Sequence, residues 1–158
     1  MTVYTTKPAI NLREELASLR NQGGYSEQQF WMDGLVTNGT FATDTDWTKG
    51  TGWTISGGVA THSGGATGSL SSSPAPTLVV GTTYSYSLEI SAYTVGYSTL
   101  TIGGALSSPF SSNGTKTGLL VATSASGIFI NGVTTFNGSI DNVSVYETDG
   151  TDVVHRMP

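Results

Sequence analysis

Glu89 is the only acidic residue between Gly50 and Ile140, and Asp141 closes that stretch. Two carboxylates flanking a glycosidic bond are what glycoside hydrolysis needs, one as acid and one as base or nucleophile. These two are far apart in sequence, so only an accident of the fold would pair them. Serine is abundant, but no Gly-x-Ser-x-Gly elbow opens a helix, and only His62 and His155 could serve as base. His62 falls in a predicted strand and His155 in the C-terminal stretch, too distant to suggest a metal site. There is no Cys, which excludes thiol catalysis, Cys-ligated zinc and disulfides. No phosphate-binding loop and no dinucleotide fingerprint occurs. The expectation is a protein that is not an enzyme.

Binding chemistry has one better candidate. Tyr93 and Tyr97 bracket a Thr-Val-Gly turn, where rings are expected to be exposed. Sugars are gripped by aromatic faces flanked by polar groups, so the pair is a candidate glycan site.

The elements that must carry these residues follow from composition. The chain has 158 residues and a formal net charge of −5. Only 11% are charged, against roughly 25% in a typical soluble domain. Thr, Ser and Gly make up 66 residues, a mix suited to strands and turns. Six Lys or Arg argue against a nucleic-acid footprint. No apolar run approaches the roughly 18 residues of a membrane span, and no secretory signal is read at the start.

Seven of the 17 charges lie in residues 1–33. That leader reads as a short helix. Asn11 can accept from an unpaired backbone N–H, and Glu14 completes a capping-box spacing. Leu12, Leu16 and Leu19 form one stripe of a 3.6-residue period, and Gly23-Gly24 ends the run. A helix of about three turns is marginal alone in water, so it must dock, on its own domain or on another subunit. Its separate charge favours an anchoring arm. Phe30 and Trp31, with Tyr25 and Met32, form an apolar strap after it.

From Leu35 onward the pattern is strand after strand. Tyr84, Tyr86, Leu88, Ile90 and Ala92 share one face of an alternating run, with Ser85, Ser87, Glu89, Ser91 and Tyr93 on the other. Val59–Ser63 and Ser98–Ile102 are short strands, and another is possible around Gly68–Ser71. Gly118–Thr123 and Gly127–Ile130 read as buried runs. In Ser139–Glu147 the faces mix, so its register is unclear. Turn signals include Gly57-Gly58, Gly103-Gly104, Asn131-Gly132 and Asn137-Gly138. Short strands with such punctuation predict an all-β antiparallel sandwich.

Four features occur in order: Asn38-Gly39-Thr40-Phe41; Asp46-Trp47 and Gly52-Trp53 ahead of Gly57-Gly58-Val59-Ala60; Leu78 to Tyr84; and Gly138 to Val145, containing Ile140-Asp141-Asn142-Val143. Together they resemble the jelly-roll carbohydrate-binding-module superfamily over about residues 35–147. The resemblance implies a jelly-roll β-sandwich in which a strand carrying Asn-Gly-x-Phe lies beside a closing strand. It places Trp47 and Trp53 in the core. It also implies a structural calcium with Asp141 as ligand, although Ala42 stands where an acidic residue often follows the Phe. The alternative for Asp141 is hydrogen bonding to backbone amides of the first strand. No other cofactor is implied.

Thr5 to Leu16 resembles leaders of tailed-bacteriophage virion proteins, in which a short helix precedes a β domain. The chain then divides into an anchor arm (1–33), a jelly-roll sandwich (34–147) and a C-terminal strand or tail (148–158). The expected function is structural: a capsid-decoration or tail module on the virion surface, contacting other virion proteins and sister copies, in a trimer for example. Anchor contacts would come from Leu12, Leu16, Leu19, Phe30 and Trp31. The alternative is a carbohydrate-binding module for host surface glycans.

Overall fold

The computed structural model describes residues 34–148. Leu12, Leu16, Leu19, Phe30 and Trp31, and the stretch from residue 149, lie outside the described residues. The described chain is all-β. Its strands are β1 (Trp47–Lys49), β2 (Trp53–Ser56), β3 (Val59–Ser63), β4 (Gly68–Ser72), β5 (Thr83–Val95), β6 (Ser98–Ile102), β7 (Ala105–Leu106), β8 (Gly114–Val121), β9 (Ile128–Gly132) and β10 (Asn137–Thr148). They pair antiparallel into two five-stranded sheets, ordered β1-β4-β9-β6-β7 and β2-β3-β10-β5-β8. We call these the β9 sheet and the β10 sheet after their central strands.

Each sheet buries one face, as alternation dictates. Leu70, Leu100, Ile128 and Ile130 from the β9 sheet and Leu88, Ile90, Ile140 and Val145 from the β10 sheet enter one apolar cluster. The fold is therefore sandwich-like. Trp47 and Trp53 lie in that cluster, as expected, and each indole N–H finds a carbonyl, of Asn38 and Gly68 respectively, at 3.0 Å. Two two-residue turns, Gly57-Gly58 and Gly103-Gly104, have positive φ at both positions, the twist that antiparallel hairpins prefer and glycine adopts without strain.

The structure corrects several expectations. Among the described residues no strand precedes Trp47. Asn38–Phe41 is a turn, with φ of +52° at Asn38 and +49° at Phe41. The Asn38 carboxamide holds it by donating to the Thr43 and Thr45 carbonyls. The turn does lie beside the closing strand: Gly39 O accepts from Val143 N at 2.9 Å. Gly118–Thr123 is not a buried run, because β8 is an edge strand and Leu119 and Val121 are exposed. Asn131-Gly132 and Asn137-Gly138 lie within strands rather than turns. At Gly132 the missing side chain makes room for buried His62, whose Cδ2 would sit 2.7 Å from an added Cβ.

Two irregularities re-aim side chains in the β10 sheet. Ala92 has φ +51°, so the alternation of β5 stops there and Ala92 is exposed rather than inward. Asn142 also has φ +51°, and the β10–β5 register shifts between Asp141 and Ser144. That bulge inserts an extra residue, which is why the pattern of Ser139–Glu147 fits no single face.

Candidate functional site

Three surfaces bear on function. The first is the turn that carries the tyrosines. Gly96 has φ +80°, and an added Cβ would meet the Phe136 backbone. This tight approach holds the turn from β5 into β6. Tyr97 is exposed at 42%, but Tyr93 is half-buried against the core and donates its hydroxyl to Gly96 O at 3.0 Å. The expectation of two exposed rings is met by Tyr97 alone. The break at Ala92 turns the Tyr93 ring toward the core, and alternation alone does not foresee that.

The second surface is the outer face of the β10 sheet. Asp141 and Glu89 are directly paired across β10 and β5. Residues so paired stand on one face with Cβ atoms about 5 Å apart. Nothing in the local residue pattern foresees this pairing. It arises because β5 and β10, distant in the chain, are neighbours in the sheet. Asn142 bridges them: its backbone N donates to Asp141 Oδ1 at 2.6 Å, and its Nδ2 donates to Glu89 Oε2 at 3.2 Å. Asp141 thus caps its own bulge rather than amides of an opening strand. Among the described residues no three His, Asp or Glu side chains gather as a metal site. Calcium takes six to eight oxygens, so one at Asp141 would draw most of its ligands from carbonyls and hydroxyls.

The third surface is the outer face of the β9 sheet. Thr48, Ser71, Phe129, Thr101 and Leu106 form one row of directly opposed residues across all five strands. Beside it, Asn131 lies between Ser69 and Thr99. Ser69 Oγ donates to Asn131 Oδ1 at 2.8 Å, and Asn131 Nδ2 donates to Thr101 Oγ1 at 2.9 Å and Thr99 Oγ1 at 3.4 Å. The sequence reading missed this group because Gly127–Ile130 looked uniformly buried. The signal was present as alternation of Ile128 and Ile130 with Phe129 and Asn131.

Compared with known proteins, the chain matches no family model and no curated relative.

Proposed function

We propose that this protein is a non-enzymatic structural component of a tailed-phage virion, a jelly-roll module displayed on the particle surface and attached through residues 1–33. The observation that carries this reading is that residues 34–148 supply a two-sheet apolar core of their own. This leaves the charged, leucine-striped leader the separate task of attachment. The phage assignment itself rests on the resemblance of Thr5 to Leu16 to virion leaders. Deleting residues 1–24 tests the division of labour. The cooperative unfolding transition of residues 34–148 should be retained while the mass from light scattering coupled to size exclusion falls from an oligomer to a monomer. A truncated chain that assembles like the full one overturns the anchor.

A second reading, a carbohydrate-binding module for adsorption to host glycans, is favoured by the exposed Tyr97 and by the hydroxyl-bearing face of the β9 sheet.

A further inference from the structure

We infer that the outer face of the β9 sheet, centred on Phe129, is a binding face for a neutral polysaccharide; this deepens the glycan-binding reading and moves its site away from the tyrosine turn. None of the residues on the two rows, Thr48, Ser71, Phe129, Thr101 and Leu106 or Ser69, Asn131 and Thr99, is charged. A charged ligand laid here would give up hydration without gaining a partner. A neutral sugar ring has the complementary make-up. Its C–H face is weakly positive and suits the negative face of a phenyl ring. Its hydroxyls both donate and accept, as Ser and Thr hydroxyls do.

The arrangement is also held in place before any ligand arrives. Asn131 uses its carboxamide to orient the half-buried Ser69 and Thr101, and also bonds the buried Thr99. Oriented hydroxyls lose less freedom on binding than mobile ones. Phe129 stands between Ser71 and Thr101, so its half-buried ring has a hydroxyl-bearing neighbour on either side. Gly127 lies by the far end of the ring, where an added Cβ would stand 4.0 Å from Phe129 Cζ. The row from Thr48 to Leu106 crosses five strands, about 19 Å at the usual strand spacing. That is long enough for several sugar units and suits a chain rather than a monosaccharide.

The test uses the full chain with soluble dextran, mannan and xyloglucan, and with alginate as the acidic comparator, in affinity electrophoresis. Retardation by at least one neutral polysaccharide and none by alginate is expected, with at least tenfold weaker binding in Phe129→Leu and no change in Leu119→Ala, an exposed position on edge strand β8 of the other sheet. Because Phe129→Leu could perturb folding, amide shifts of the unaltered protein are mapped with fragments of the same polysaccharide. Shifts at Ser69, Ser71, Phe129, Thr101 and Asn131 support the inference. Binding that survives Phe129→Leu in a folded protein but disappears in Tyr97→Ala overturns it and leaves the glycan-binding reading standing. No retardation by any neutral polysaccharide overturns both. Shifts on this face that follow protein concentration rather than added polysaccharide assign it to a second copy and overturn the inference.

Discussion

The outer faces of the two sheets draw on nearly the same residues, Ser, Thr and Asn, and hold them differently. On the β9 sheet the pairing of β9 with β4 and β6 runs without a shift, so Asn131 meets Ser69, Thr99 and Thr101 at the spacing hydrogen bonds need. On the β10 sheet the central pairing of β10 with β5 shifts twice, and the sheet carries Glu89 and Asp141 at the second break. There an Asn serves a bulge instead of a ladder, with its backbone in the left-handed region and its carboxamide on an exposed carboxylate. Continuous register turns small polar side chains into a fixed surface; broken register turns the same side chains to local repair.

The largest effect expected from this difference is at Asn131. Asn131→Ala removes three side-chain bonds and leaves the buried Thr99 hydroxyl without its partner. At about 1 kcal/mol net for each neutral bond, the loss should be about 2–3 kcal/mol in chemical denaturation. Glu89→Gln on the other face removes an exposed group and should move stability by no more than about 0.5 kcal/mol. Equal costs for the two substitutions would break the contrast.

The next effect concerns the bulge itself. Asn142 tolerates its φ of +51° because its short polar side chain bonds locally, and a β-branched residue does not. Asn142→Val should cost about 1–2 kcal/mol, whereas Asn142→Gly should be within about 0.5 kcal/mol, since the lost contact to Glu89 is exposed. If Val and Gly behave alike, the left-handed conformation is not what shapes this face.

What could be read from the sequence divides along the same line. Strands β3, β5, β6 and the inner face of β5 were legible because alternation is a local signal, and Tyr84 to Ile90 carry it cleanly. The glycine pairs at 57–58 and 103–104 were legible as turns for the same reason. The turn at Asn38–Phe41 was not, because carbonyls of Thr43 and Thr45 and the close approach to Val143 decide it. Nor was the strand role of Gly132, which depends on a histidine seventy positions earlier in the chain. The glycan candidates show the limit most directly. Tyr97 is exposed as its turn predicts, Tyr93 is turned inward by a break at Ala92, and the Asn131 ladder joins three strands that no local window contains.

The smallest effect is a pH response confined to one sheet. Inside the sandwich, Tyr86 of the β10 sheet packs its ring against Phe110, and its hydroxyl fills the space that Gly118 on β8 leaves open. Burial raises its pKa above the ordinary value of 10.0 by disfavouring the phenolate. The folded state therefore keeps this proton at a pH where the unfolded chain has released it. By linkage the contribution is fully present below pH 10 and is lost as pH rises from there through the raised value. Comparing the native chain with Tyr86→Phe in urea titrations from pH 8 to 11 isolates it. The difference in stability between the two should be flat up to about pH 10 and should then fall for the native chain, by no more than about 1.4 kcal/mol per pH unit, the limit for one proton. The Asn131→Ala variant should keep this response unchanged, because its ladder lies on the β9 sheet and holds no titrating group; a changed response would mean that the two sheets do not act independently.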